Sequence, residues 1–182
     1  IVANDSNRER LYRLKDVLRQ YGVTNAFMQL GSGENLWRKY GPVFDLVLVD
    51  APCSGEGRFS LKDPSSFSDW SYLKVERLAT LQKKLLFAGV MCLKSGGTLV
   101  YSTCTLSPEE DEGVVDFILD KFDGAVEVEE VKVSGLIDDS QVFVPGVTEW
   151  FGKKYNEKVS MSGRVLPNKL LEGFFVCKFH RN

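Results

Sequence analysis

The chain has 182 residues, 43% of them hydrophobic and 26% charged, a composition that supports one folded domain with a sizeable core and excludes a disordered polypeptide. No apolar run reaches the roughly 18 residues of a membrane helix and no signal-like segment opens the chain, so the expected location is cytoplasmic. The net charge of -2 hides an asymmetry: residues 1–150 carry 16 Lys+Arg against 23 Asp+Glu, whereas residues 151–182 carry 7 against 2, which points polyanion contacts, or simply a solvated lysine-rich face, to the C-terminal part.

Ile1-Val2-Ala3 followed by Asn4-Asp5-Ser6 reads as a strand end running into a helix cap. Leu11, Leu14, Val17 and Leu18 then recur at helical spacing from Arg8 to Tyr21, and Gly22 closes the helix. Residues 24–30 read as a second strand, and 43–49 as a third, buried one. A loop to about Trp70 precedes a helix over 71–93, with Leu78, Leu81, Leu85 and Leu86 inside, and Gly96-Gly97 leads into a strand over 98–103. Pro108 opens a third helix whose first turn holds Glu109, Glu110, Asp111 and Glu112, an arrangement that suits the helix dipole. Residues 126–133 and 173–179 read as late strands, antiparallel at the sheet edge. Such alternation predicts an α/β fold, a doubly wound open sheet.

The chemistry is concentrated in two cysteines. Cys53 in Asp50-Ala51-Pro52-Cys53-Ser54-Gly55 and Cys104 in Tyr101-Ser102-Thr103-Cys104-Thr105 each follow an apolar β-like run. Ligands of open α/β sheets sit at the carboxyl ends of strands, so the two thiols are expected in one active site. A deprotonated thiol there is a nucleophile, and a second one can help move a proton. The alternative for each is a small buried hydrophobe, the reading that Cys92 and Cys177 keep. The four cysteines contain no CxxC spacing and His180 stands alone, so neither a disulfide framework nor a metal site is expected.

Three separated segments in order then resemble one family. Asp50 to Gly55, the run Tyr-Ser-Thr-Cys-Thr-Leu-Ser-Pro-Glu-Glu at 101–110, and Arg164-Val165-Leu166-Pro167 with Glu172-Gly173-Phe174-Phe175-Val176 resemble the Sun-type RNA cytosine-5 methyltransferases. Asp63-Pro64, Trp70 and Leu81-Gln82 are similar to that family's region after the first cysteine. The resemblance implies a class I methyltransferase (Rossmann-like) fold, mostly parallel with an antiparallel edge, S-adenosyl-L-methionine as cofactor, and cytosine in rRNA or tRNA as substrate. It further implies a first strand and a glycine-rich cofactor loop ahead of Ile1. Residues 1–182 are then the C-terminal major part of a single catalytic domain, with most of the RNA-binding region outside it.

Carbon 5 of cytosine is too weak a nucleophile to take a sulfonium methyl unaided, so a thiolate must first add to carbon 6. By resemblance Cys104 is that nucleophile, Cys53 assists loss of the carbon 5 proton or release of the adduct, and Asp50 holds the base. Pro52 directs the turn that carries Cys53 and is counted with the substrate-binding residues. Arg58 and Phe59, with Trp70, lie in or beside the long loop where substrate contacts are expected, with core packing as the alternative for Trp70. For the cofactor, Asp5 is placed on the ribose hydroxyls, with helix capping as its alternative, and Arg10 resembles the arginine that follows it in the family. Asp50 shares the cofactor side. Where the family carries a Gly-Asp-Gly-like stretch for the adenine, this chain has Gly31-Ser32-Gly33, and Ser32 offers a hydrogen bond without a charge. The reading that competes with an enzyme is a noncatalytic RNA-binding or assembly factor that keeps the fold.

Overall fold

The computed structural model describes residues 1–132 and 142–182. Its first unit is β1 (Val2–Asp5), α1 (Arg8–Gln20) and β2 (Phe27–Leu30), with β1 and β2 paired in parallel. Asn7, not the Asn4-Asp5-Ser6 run, caps α1, its side chain accepting from the Glu9 and Arg10 amides. Asp5 stays in the strand. β2 begins three residues later than its apolar pattern predicts, because its length is matched to the four residues of β1.

A short helix α2 (Leu36–Tyr40) leads to β3 (Phe44–Asp50), which is followed by α3 (Tyr72–Cys92) and β4 (Leu93–Thr103). The Ser71 hydroxyl caps α3 by accepting from the Lys74 amide. Loop 51–71 carries two short 3-10 turns, Glu56–Arg58 and Pro64–Phe67. β3 and β4 pair in parallel, and both run toward the same edge, so Asp50 stands opposite Ser102. Gly89 of α3 packs against this pair so closely that a Cβ there would lie 2.8 Å from Leu99.

The expected third helix starts later than Pro108. It is α4 (Glu112–Phe122), preceded by a turn over residues 108–111. Glu110, Asp111 and Glu112 are fully buried rather than displayed on a solvated first turn. Then come β5 (Val126–Glu129), β6 (Phe143–Pro145), a hairpin of β7 (Glu149–Trp150) and β8 (Lys153–Lys154), β9 (Gly163–Val165) and β10 (Phe174–Arg181). The strand expected over 126–133 ends at Glu129, and Val133 lies outside the described residues.

The main sheet runs β3-β4-β10-β9-β6, with β5 also on β10. β4 and β10 are antiparallel, and β5, β9 and β6 complete an antiparallel side. β10 is therefore the inner strand of that edge: Phe175, Cys177 and Phe179 are all completely buried in the core with Tyr101, Leu99, Leu86 and Ile118. β3 departs from its buried reading, since Leu46 is 76% and Leu48 70% exposed. An apolar run announces burial without saying which neighbour supplies it: Gly89 of α3 packs on the face of Val47 and Val49, and Leu46 and Leu48 lie on the opposite face. No described helix is long and apolar enough to cross a membrane.

Candidate active site

The two segments that follow β3 and β4 meet. Cys53 Sγ and Cys104 Sγ lie 3.0 Å apart, both half-buried and both free thiols. One must donate to the other, and the pair resolves into unlike partners. Cys104 is pulled down to about 6, first by the hydrogen bond from Cys53 and then, against the cost of burial, by the Arg58 guanidinium. Cys53 moves the opposite way, held protonated by its bond to Cys104 and by burial. The two sulfurs share a proton, and Cys104 is the more acidic of the pair.

A buried polar frame fixes the Cys53 turn. Glu110 accepts from the Ser54 amide (3.0 Å) and from Gln82 Nε2 (2.7 Å), and the same Gln82 nitrogen donates to Pro52 O (2.8 Å). The Ser54 and Thr105 hydroxyls bond at 2.8 Å and so tie the two cysteine segments directly. Tyr101, buried in the core, donates its hydroxyl to Glu110 O at 2.6 Å, while Thr103 donates to Asp111 at 2.6 Å. Burial raises the Glu110 carboxyl, opposed by the Ser54 and Gln82 bonds. It raises Asp111 further, against the pull of Arg164.

Arg164 closes the frame from β9. Its Nε donates to Glu112 Oε1 at 2.6 Å, its Nη2 pairs with the other oxygen of Glu112, and its Nη1 donates to Leu106 O at 2.9 Å. The start of β10 completes it. The Gly57 amide donates to Cys104 O (3.1 Å) and the Gly173 amide to Gly57 O (2.8 Å). A Cβ on Gly57 would sit 2.1 Å from Gly173 O, so glycine is required where these backbones cross.

The other predicted residues fall around this centre. Asp50 is exposed at the end of β3, accepting from the Ser102 hydroxyl at 3.1 Å. Pro52 precedes Cys53 and exposes its ring while its carbonyl is held by Gln82. Arg58 reaches Glu172 at 3.5 Å as well as Cys104. Phe59 and Trp70 meet edge to face, 6.5 Å between centroids, and with Ser60, Leu61 and Phe67 they line a cavity of about 290 Å³. The Trp70 indole donates to Glu56 at 2.9 Å, so Trp70, 41% exposed, belongs to the surface of the loop and not to the main core.

Asp5 ends β1, and its Oδ1 accepts from the Asn7 amide (2.7 Å) and from Arg10 Nη2 (2.9 Å). Ser32 is exposed after β2 and makes no capping bond; it faces Glu34, whose carboxyl its hydrogen bond lowers. Asn4 donates to Gly31 O at 3.2 Å, yet its own Oδ1 is buried with no hydrogen-bond partner among the described residues. The Asp5 carboxylate, partly exposed at the carboxyl end of β1, is an acceptor suited to the hydroxyls of a nucleoside. Sequence reasoning missed Asn4, Ser54, Thr105 and the roles of Glu110 and Arg164. The available signal was an arginine between Gly163 and Val165, a strand position that only a buried acid makes tolerable.

Residues 1–180 match the family described as 16S rRNA methyltransferase RsmB/F. The chain belongs to this family. The tRNA (cytosine(49)-C(5))-methyltransferase of Pyrococcus abyssi is 38% identical over the whole chain, which spans 55% of that protein. The human 28S rRNA (cytosine(4447)-C(5))-methyltransferase is 35% identical, again over the whole chain and 22% of its own length. Among solved structures, a methyltransferase homolog from Pyrococcus horikoshii superposes with a TM-score of 0.80 at 31% identity, covering 100% of this chain and 53% of that one. The chain thus spans about half, or less, of these RsmB/F-type relatives, and its fold is that of a class I methyltransferase.

Proposed function

We propose that the protein is an S-adenosyl-L-methionine-dependent RNA (cytosine-5)-methyltransferase acting on rRNA or tRNA through a covalent Cys104 adduct at carbon 6 of the target base. The observation that carries this is the unlike thiol pair, an acidified Cys104 against a protonated Cys53 at 3.0 Å. The Cys104 thiolate adds to carbon 6, and the ring electrons move toward carbon 5 and the ring nitrogen. Asp50, exposed beside the pair, holds the ring nitrogen and exocyclic amine while that charge develops. The cofactor supplies an electrophilic methyl group, for which Asp5 and Asp50 are the binding carboxylates.

Cys53 then has a reason to change state. Its thiol is held up first by Cys104; once that sulfur is bound in a neutral thioether the hold is gone, so Cys53 gives its own proton to water and, as a thiolate, takes the carbon 5 proton. Loss of that proton expels the Cys104 thiolate and restores the aromatic ring. We read the cavity lined by Phe59 and Trp70 as the seat of a base that has left its stack, as attack from above the ring requires.

Cys104→Ala should abolish methyl transfer with the fold intact, whereas Cys53→Ala should trap an RNA-protein adduct visible on a denaturing gel. An adduct from Cys104→Ala and none from Cys53→Ala would reverse the two roles. Wild-type full-length protein that moves no label from the cofactor to total RNA would instead support a noncatalytic RNA-binding factor. We also read residues 1–182 as the C-terminal major part of one catalytic domain working in the reducing cytoplasm, where both thiols stay free.

A further inference from the structure

The β7–β8 hairpin is closed by Phe151 and Gly152, both left-handed, at φ 46° and 76°. A two-residue turn of this kind suits Asn, Asp or Gly at its first position, and a phenylalanine there holds the backbone in a strained state. Burial does not offset the strain. Phe151 is 90% exposed, its ring meeting the Trp150 ring at 4.8 Å between centroids.

The hairpin stands on the rim of the active site. The Trp150 indole donates to Glu109 Oε1 at 3.3 Å, and the other oxygen of Glu109 accepts from Ser107, three residues past Cys104, at 2.8 Å. Lys153 lies across the hairpin from Trp150, its ammonium 5.0 Å from the Tyr155 ring centre. Lys83 of α3 holds its ammonium 5.6 Å from the Phe117 ring centre. Neither lysine has an ion-pair partner among the described residues. Lys83 is depressed by burial and then by the charge of Lys153, with Asp116 opposing. The carboxylate of Asp116 is itself engaged by the Asn156 amide at 2.8 Å.

We propose that this hairpin is a single-stranded RNA contact, with the Phe151 ring stacking on an unpaired base that flanks the target cytidine and Lys153 and Lys83 receiving the neighbouring phosphates. The proposal rests on the reading of the protein as an RNA methyltransferase. An exposed ring accepts any base face, and two lysines outside any ion pair complement a phosphodiester. The strained turn is what projects the ring away from the protein.

The full-length protein should be titrated with a short fluorescein-labelled single-stranded pyrimidine RNA. Phe151→Ala should weaken binding by about 5- to 150-fold, the loss of one stacked base, and Phe151→Trp should restore it. Lys83→Ala with Lys153→Ala should flatten the slope of log affinity against log salt by about 1.4. Phe151→Gly should lose the same affinity while keeping or raising the melting temperature, because glycine adopts this φ without strain. Unchanged affinity in Phe151→Ala, or a lowered melting temperature in Phe151→Gly, would overturn the proposal. Methyl transfer from labelled cofactor, run in parallel, separates the two readings. A wild type without transfer whose RNA affinity still depends on Phe151 removes the catalytic reading and keeps the contact. Transfer that proceeds while affinity ignores Phe151 removes the contact alone.

Discussion

At the scale of single residues, the working unit is a shared proton. Isolated thiols ionise near 8.5 and each would be a poor nucleophile at neutral pH. Placed 3.0 Å apart, one becomes the other's hydrogen-bond donor, and Cys104 drops to about 6. Because its value is depressed, the thiolate is present above about pH 6 and lost below it. Iodoacetamide labelling of Cys104 should therefore rise with pH through a midpoint near 6. Cys53→Ala should move that midpoint up toward an ordinary thiol, and Arg58→Ala should move it up by less, following the order of their effects. A midpoint indifferent to Cys53 would mean that the two sulfurs do not share a proton in solution.

At the scale of elements, three pieces distant in sequence are riveted together beneath that pair. α4 supplies Glu112, its preceding turn supplies Glu110 and Asp111, β9 supplies Arg164, and α3 supplies Gln82. Arg164 is the sole cation within ion-pair distance of either Asp111 or Glu112 among the described residues. Arg164→Met should cost about 3–5 kcal/mol in urea denaturation, the usual penalty for leaving a buried charge unpaired. The double change with Glu112→Leu should recover part of the loss, since it removes the stranded carboxylate. The acidic run was visible in the sequence as helix-start material, but its burial was not. Charge next to proline suits an exposed first turn equally well, and only the arginine 52 residues away distinguishes the two.

At the scale of the whole molecule, the β1-β2 pair and the larger sheet do not pair with each other among the described residues. The larger sheet ends at β3, which among those residues pairs on one side only, with β4. In hydrogen exchange of this chain alone, alternate amides of β3, those facing away from β4, should exchange rapidly. They should become protected in a longer polypeptide that contributes a strand between β1 and β3, as the reading of residues 1–182 as part of one domain expects. Protection in the chain alone would remove that reading.

Local pattern was enough to find the helices α1 and α3, the strands β3, β4 and β10, and the two segments that carry Cys53 and Cys104, because period and turn chemistry act over a few residues. It was also enough to expect both thiols at strand ends. What the pattern could not carry was which strands are neighbours and what each buried group touches. β10 lies inside the antiparallel side because β5 and β9 cover its free edge, and Glu112 and Glu110 are buried because Arg164 and Gln82 reach them from 52 and 28 residues away. The acidity of Cys104 belongs to this second class: a crossover of 51 residues sets Cys53 against it, with the Arg58 guanidinium adding a smaller pull, and a through-space interaction of that range leaves no periodic trace along the chain.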